Sequence, residues 1–139
     1  MENTSVLVDT SVLIEYFRKK NKLGTAFFKI SRTYNLAVSS ITEFEFLAGA
    51  KDDRQEFIET LFNSLSVLPF DSRCAKKARD VYRDLRTKNK LLELSDILIA
   101  STALANDPPL ATLNTKHFGR IESLNIVDLA KNASDIAPN

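Results

Sequence analysis

Three acidic side chains, far apart in the sequence, fall where predicted strands end or a predicted helix begins. Asp9 directly follows the apolar run 5–8, Glu45 lies in a helix soon after a second strand, and Asp96 opens a buried helix before a fourth strand. In open α/β sheets, ligands bind beyond the carboxyl ends of the strands. We therefore expect the three carboxylates to share one edge of the sheet.

Carboxylates that converge repel one another unless a cation lies between them. Mg²⁺ and Mn²⁺ prefer oxygen ligands, and such an ion can generate hydroxide, hold a scissile phosphate and neutralise the leaving oxygen. The sequence has one His and one Cys, so no Cys/His cluster points to zinc. Asp9, Glu45 and Asp96 are thus predicted to hold a hard divalent cation whose chemistry suits a phosphate substrate.

Each acid also has a plain structural explanation when it is taken alone. Asp9 suits a helix N-cap, Glu45 suits a solvated helix face, and Asp96 suits a first helical turn, where the helix dipole favours negative charge. Glu43 lies two residues from Glu45 and points elsewhere, so we interpret it as a surface residue. The joint placement of the three acids is what favours a functional role.

Several other side chains near these strand ends could assist. Glu93 precedes Asp96 closely and could help to hold a metal, although an exposed position explains it equally well. His117 could donate to phosphate, but a lone His in a loop is more often structural or exposed. A basic helix face is usually only solvated, yet it could steer an RNA backbone. The candidate RNA-binding residues are Lys88, Lys90, Lys116 and Arg120.

The elements that must position these residues alternate along the chain. The predicted strands are 5–8, 36–39, 67–70, 110–113 and 124–127, and the predicted helices are 12–18, 25–33, 40–49, 55–65, 72–88 and 94–104. Segment 114–118 is predicted as a loop. This alternation predicts a three-layer α/β domain with a mainly parallel five-stranded sheet.

Local signals predict how several of these elements begin and end. The predicted N-caps are Thr10 or Ser11 for the first helix, Asp71 for the fifth and Ser95 for the sixth. Gly49 is expected to terminate the third helix and Asn89 to adopt a left-handed turn after the fifth. Further predictions are an edge position for the strand that contains Pro69, and a core stripe that includes Tyr82.

Length and composition exclude several classes of protein. A chain of 139 residues fits one domain, which we place at 1–130, followed by a polar tail at 131–139. The net charge of +1 does not by itself indicate a nucleic-acid binder. The lone Cys74 fits a reducing compartment, and no apolar run approaches the roughly 20 residues that span a bilayer. We expect a cytoplasmic protein without a membrane segment or export signal.

Four segments carry a resemblance to a known family. They are 6–14, which contains Val-Leu-Val-Asp-Thr-Ser, then 39–49, 95–104 and 110–118. In this order and spacing they resemble the sequence blocks of the PIN-domain family, and most closely its VapC-type toxins from bacterial and archaeal toxin–antitoxin pairs. The resemblance extends from residue 5 to about residue 128.

The resemblance implies a fold, an activity and partners. The sheet order would be 3-2-1-4-5, and the activity that of a Mg²⁺- or Mn²⁺-dependent endoribonuclease. Relatives of this kind usually form homodimers and are silenced by a cognate antitoxin, for which the aromatic-rich segment 44–62 is a reasonable docking surface.

The implied catalytic acids are Asp9, Glu45 and Asp96. Gly49 lies four residues after Glu45, and this spacing selects Glu45 over Glu43. Thr10 or Ser11 matches the hydroxyl residue that the family carries beside its first acid. Thr112 matches the hydroxyl residue of the family's last block.

One position departs from the family pattern. Many members carry a fourth acid in the last block, where this sequence offers Asn114 and His117. The departure weakens the case for a second metal but not for the first, and Glu93 could compensate. Asn114 and His117 would then orient water or phosphate.

Two rival functions remain open on the sequence. A metal-poor PIN module could bind RNA or a protein without cutting, a possibility that the missing fourth acid supports. An α/β phosphohydrolase could use Asp9 as its nucleophile, but the usual Asp-x-Asp signature would require an acid where Ser11 stands.

Overall fold

A computed structural model describes residues 4–129 of the chain. The predicted tail at 131–139 lies outside the described residues. The strands are β1 Ser5–Val8, β2 Asn35–Ser39, β3 Ser66–Leu68, β4 Leu110–Thr112 and β5 Ile126–Asp128. The helices are α1 Thr10–Arg18, α2 Ala26–Ser31, α3 Ser40–Gly49, α4 Gln55–Asn63, α5 Ser72–Thr87, α6 Leu94–Asn106 and α7 Thr115–Phe118, with short 3₁₀ turns at Lys22–Gly24 and Asp52–Arg54.

The five strands form a parallel sheet in the order β3-β2-β1-β4-β5, which confirms the order that the resemblance implied. Leu7 in β1 is in register with Ala37 of β2 on one side and with Leu110 of β4 on the other. Strand order reverses between β1 and β4, and ligands bind at such switch points in open α/β sheets. The residue that follows β1, Asp9, therefore lies at the position where this fold binds ligands.

Alternation along β1 divides the core between the two faces of the sheet. Leu7 packs with residues of α5 and α6, whereas Val6 and Val8 pack with residues of α1, α2 and α4. All three side chains are fully buried. Helices thus cover both faces of the sheet, which confirms the predicted three-layer architecture and explains why β1 is apolar at successive positions.

Two of the predicted N-caps are wrong. The first helix begins at Thr10, and its N-cap is Asp9 rather than Thr10 or Ser11, because the Asp9 carboxylate already accepts a hydrogen bond from the Val12 backbone N–H. In α6 the cap position is Glu93, whose side chain makes no capping bond, and Ser95 lies inside the helix. The predicted cap Asp71 of α5 is confirmed by its bond to the Cys74 backbone N–H.

Tertiary packing overrides the prediction in two further places. Segment 114–118, predicted as a loop, contains the short helix α7, because Phe118 packs into the core with only 1% of its surface exposed. Tyr82, predicted in the core stripe of α5, is 40% exposed, since its neighbours on that stripe already cover the sheet.

Predictions made from single turn-forming residues agree better with the structure. Asn89 has a φ of 55°, the left-handed conformation that was predicted after α5. Gly49 is the last residue of α3, as predicted, but without a positive φ. Pro69 follows β3, which is an edge strand. Between residues 4 and 129, every helix is too short or too polar to traverse a bilayer.

Candidate functional site

Asp9 is a buried carboxylate held by neutral donors. It is 3% exposed. Its Oδ2 accepts a hydrogen bond of 2.7 Å from Thr112 Oγ1, and its Oδ1 accepts one of 2.7 Å from Ser11 Oγ. The Val12 backbone N–H donates to the same Oδ1 at 3.4 Å. In the described part of the chain, no Lys, Arg or His forms an ion pair with Asp9.

The surroundings of Asp9 disfavour its charge. Burial raises the pKa of Asp9 above its usual range, the hydrogen bonds from Ser11, Thr112 and Val12 oppose that rise, and the negative charge of Asp96 adds to it. Asp9 and Asp96 are therefore close enough to interact electrostatically, although β1 and α6 are far apart in the sequence. Asp9 follows the carboxyl end of β1, and Asp96 lies close enough for its charge to act there.

Asp96 lies in the first turn of α6, as predicted, and has a partner that the sequence did not suggest. Its Oδ2 is 2.8 Å from Nε2 of His117, and the two side chains are 24% and 25% exposed. Because α7 forms where a loop was predicted, His117 is held on a helix beside α6. This contact fixes the orientation of the Asp96 carboxylate.

Glu45 is linked to the segment after β1 through hydroxyl groups. Thr10 Oγ1 donates to Glu45 Oε1 at 3.0 Å and lies 3.3 Å from Thr42 Oγ1. Thr42 is fully buried and stands one helical turn before Glu45. The contact of Thr42 with Thr10 was not predicted, although the Thr-x-x-Glu-x-x-x-Gly spacing of 42–49, by which the resemblance selects Glu45, includes this residue.

Thr112 connects the last sequence block to the first acid. It is fully buried at the end of β4, and its Oγ1 accepts a hydrogen bond of 2.9 Å from the Asn114 backbone N–H while donating to Asp9. This arrangement ties the chain after β4 to the Asp9 carboxylate. The Asn114 side chain is exposed and makes no capping bond to α7.

Not every predicted site residue joins this arrangement. The carboxylates of Asp9, Glu45 and Asp96 each bond to different side chains. Within residues 4–129, no three Asp, Glu, His or Cys side chains are grouped closely enough to form a complete metal site. Glu93 is exposed and makes no side-chain cap bond. The shared metal site therefore stays a prediction.

The donor chemistry nevertheless fits a hard divalent cation. The candidate ligands offer carboxylate oxygens, with hydroxyl and amide oxygens of Thr10, Thr112 and Asn114 nearby, and such oxygens are what Mg²⁺ and Mn²⁺ prefer. A buried carboxylate beside a second carboxylate is an unfavourable arrangement that a bound cation relieves. Asp9 and Asp96 are the residues best placed to hold such an ion, with Glu45 on α3.

Two clefts flank the acidic residues. The first, of about 670 Å³, is lined mainly by α1, α3 and the start of α4, and includes Thr10, Glu45 and the apolar side chains of Phe17, Phe46 and Ile58. The second, of about 550 Å³, has a different lining, which comprises Asn89, Lys90, Leu91, Asn114, Lys116, His117 and Arg120. We call them the apolar cleft and the basic cleft. Glu45 borders the first, and the partner of Asp96 borders the second.

The four predicted RNA-binding residues differ in their surroundings. Lys88 Nζ lies 3.0 Å from Asp84 Oδ2 and 2.9 Å from Glu122 Oε1, and these carboxylates raise the pKa of Lys88. Its charge is thus already compensated. Lys90, Lys116 and Arg120 all line the basic cleft.

We predict that Asp9→Asn stabilises the fold in the presence of a chelator. Asn is about as good an N-cap as Asp, and the substitution removes a buried charge. Since about 1 kcal/mol shifts Tm by roughly 4 °C in a domain of this size, we expect a rise of a few degrees at pH 7.

The pH dependence of this gain has a definite sign. The pKa of Asp9 is raised in the folded state, so the wild type loses stability as the pH rises through that pKa, and Asp9→Asn does not. The gain in stability from Asp9→Asn should shrink as the pH falls toward 3.8, the ordinary pKa of an Asp side chain. Thermal melts across this pH range test the prediction, with Asp80→Asn, a change at an exposed residue, as the control. Equal Tm values for Asp9→Asn and wild type at pH 7 would contradict the prediction.

Comparison with known proteins places the chain in a family. The model of the PIN domain matches residues 6–124. A protein of Methanocaldococcus jannaschii named Ribonuclease VapC1 is 32% identical over 126 residues, covering 90% of this chain and 87% of the relative. Ribonuclease VapC10 of Mycobacterium tuberculosis is 32% identical over 119 residues, covering 86% of this chain and 90% of the relative.

Solved structures share the fold. VapBC from Salmonella typhimurium, solved bound to DNA, superposes with a TM-score of 0.80 at 24% identity, covering 91% of this chain and 98% of the matched chain. VapBC-1 from nontypeable Haemophilus influenzae gives a TM-score of 0.79 at 24% identity, covering 91% of this chain and 99% of the matched chain. Because the family model spans most of the sequence and relatives above 30% identity match over nearly their whole length, this chain belongs to the PIN-domain family, among its VapC-type members.

Proposed function

We propose that this protein is a Mg²⁺-dependent endoribonuclease, with Mn²⁺ as an alternative ion, and the toxin of a VapBC-type toxin–antitoxin pair. The observation that carries the proposal is the buried Asp9 carboxylate at the switch point of the sheet, whose charge is disfavoured by burial and, to a smaller degree, by the charge of Asp96. Relatives that are named as VapC ribonucleases and match nearly the whole chain support it.

Asp9, Asp96 and Glu45 would hold the cation. When bound, such an ion supplies an activated water and neutralises charge on the phosphate and the leaving oxygen. Asp9 is the most firmly oriented of the three, because both of its oxygens accept hydrogen bonds. Its burial keeps bulk water from one side of the site.

The neighbouring residues position these acids. Thr112 and Ser11 hold the two oxygens of Asp9, and Thr10 orients Glu45. His117 fixes Asp96 through Nε2 and also borders the basic cleft, where the rest of its ring would help to orient water or phosphate. The Asn114 amide borders the same cleft and can do likewise.

One specific feature favours a second candidate function. The last block offers Asn114 and His117 in place of a fourth acid, and the exposed Glu93 makes no hydrogen bond that would place it with the other acids. A catalytically weak module that binds RNA, or a protein partner, without cutting would also fit these facts. Retention of RNA in EDTA, with no products after Mg²⁺ is added, would favour that alternative.

We predict that Asp9→Asn, Glu45→Gln and Asp96→Asn each reduce Mg²⁺-dependent RNA cleavage by at least about 100-fold. Loss of even an outer-shell partner of a metal site typically costs about 10- to 100-fold, so loss of a direct ligand should cost more. The measurement is the initial rate on structured RNA with purified protein, with and without EDTA.

Glu43→Gln is the matched control, because it changes the same residue type on the same helix two positions away. It should cleave at nearly the wild-type rate. Wild-type rates for all three acid variants, or cleavage that persists in EDTA, would refute the site.

We further propose that an antitoxin docks in the apolar cleft. The cleft presents apolar side chains next to Glu45, and Phe44 and Phe57 on the neighbouring helices are 67% and 42% exposed. Solved structures that share this fold include VapBC from Salmonella typhimurium and VapBC-1 from Haemophilus influenzae, which supports a partner of this kind. An antitoxin segment with an amphipathic helix would cover this surface and block access to Glu45.

A homodimer and a cytoplasmic location complete the proposal. The VapC-type relationship supports both, and a lone buried Cys74 fits a reducing compartment. In the cytoplasm the protein would encounter both RNA and the antitoxin.

The antitoxin proposal predicts a selective loss of binding. The protein encoded by the short reading frame directly upstream should co-purify with the wild type, and Phe57→Asp should weaken that complex at least about 10-fold, as loss of an interface anchor does. Tyr82→Asp is the control, because Tyr82 is exposed to a similar degree on α5. Equal losses for both variants, measured by calorimetry, would contradict docking at this surface.

A further inference from the structure

We propose, resting on the ribonuclease assignment, that the basic cleft binds phosphates of the RNA strand that flank the cleaved bond. Its lining combines three cationic side chains, Lys90, Lys116 and Arg120, with one His and two amide side chains. None of the described residues that line it is acidic. Its volume of about 550 Å³ is within the range of ordinary ligand sites.

The charges in this cleft are available to a ligand. Lys90 and Lys116 are exposed and, among the described residues, form no ion pair with a carboxylate. Arg120 uses one N–H to reach the Leu91 carbonyl at 3.1 Å, which leaves the rest of its guanidinium donors free. Lys88 differs, because Asp84 and Glu122 already neutralise it.

The two walls of the cleft are joined to each other before any ligand binds. The bond from Arg120 to the Leu91 carbonyl links the segment after α7 to the turn after α5. That turn is fixed by the left-handed Asn89 and by a bond of 2.8 Å from the Lys90 backbone N–H to the Leu85 carbonyl. Preorganisation of this kind reduces the ordering cost of binding.

The cleft is linked to Asp96 and Asp9 through two residues of its lining. His117 lines it and bonds to Asp96, and Asn114 lines it while its backbone N–H bonds to Thr112, the partner of Asp9. A strand whose scissile phosphate lies at the acids therefore passes directly into a region of positive charge. The apolar cleft on the other side sets Lys51 and Arg54 against Glu45 and Asp53, so it lacks the excess of positive charge that the basic cleft carries.

These observations divide the surface between two partners. RNA extends from the acids across α7 and the turn at Asn89, whereas a protein partner covers the side of α1 and α3. An acidic protein segment is the competing occupant of the basic cleft, and the experiment separates it from RNA.

The test measures binding of a single-stranded RNA in EDTA as a function of salt. Each phosphate contact on a single strand contributes about 0.7 to the slope of log K against log salt. The double variant Lys90→Gln/Lys116→Gln should therefore lower the slope by about 1.4 and weaken binding at low salt. Lys76→Gln, an exposed Lys on α5, is the control for lost charge and should leave the slope nearly unchanged.

A cleavage assay adds a second measurement. The double variant should raise KM for a long RNA with little change in kcat, because it removes contacts made equally before and during the reaction. A minimal substrate too short to reach the cleft should be cleaved as by the wild type. Thermal melts confirm that the variants are folded.

The outcomes separate this proposal from the ribonuclease assignment. A wild-type salt slope in the double variant, while Asp96→Asn abolishes cleavage, overturns the cleft proposal alone. A reduced slope with no cleavage by the wild type under any metal condition overturns the ribonuclease assignment and supports the cleft as an RNA site. If the double variant loses antitoxin binding but still binds RNA as the wild type does, the cleft proposal is overturned in favour of a protein partner.

Discussion

The buried negative charge of Asp9 is the constraint on which the site depends. Parallel pairing of β1 with β2 and β4 fixes where the chain leaves the sheet, and the fully apolar faces of β1 leave the carboxylate 3% exposed at that point. Neutral donors from Ser11, Thr112 and the start of α1 stabilise it without cancelling its charge. Burial raises the pKa of Asp9, and the negative charge of Asp96 adds a smaller contribution. A cation is the natural partner for such an arrangement.

The surroundings of the acids explain how one small domain would accommodate the two macromolecular partners that we propose. The apolar cleft borders Glu45, and the basic cleft borders His117, the partner of Asp96. A protein that covers the first cleft and an RNA that follows the second would meet at the same carboxylates. Inhibition by an antitoxin then requires no conformational change in the proposed nuclease, only competition for the acidic edge.

The alternation of strands and helices and the placement of Asp9 and Asp96 could be predicted from the sequence, because apolar runs, breaks and helix periodicity are local signals. The order of the strands was implied only by the resemblance to the PIN-domain family. The contact between Asp96 and His117 could not, because it depends on α7, which forms only when Phe118 packs into the core. The cap of α1 was misplaced for a similar reason, since the strand end brings the Asp9 carboxylate to the first free N–H groups. Whether a cation joins the acids is a question of chemistry that side-chain spacing alone leaves open.

The central claim, that acids distant in the sequence act together by holding one divalent cation, is tested most directly by Mn²⁺ binding. Electron paramagnetic resonance of Mn²⁺ titrated into wild type, Asp96→Asn and Glu43→Gln reports the bound fraction without RNA or turnover. We expect saturable binding to wild type and Glu43→Gln, and affinity at least about 10-fold weaker in Asp96→Asn. Equal affinity in all three proteins, or no saturable binding by the wild type, would contradict the account.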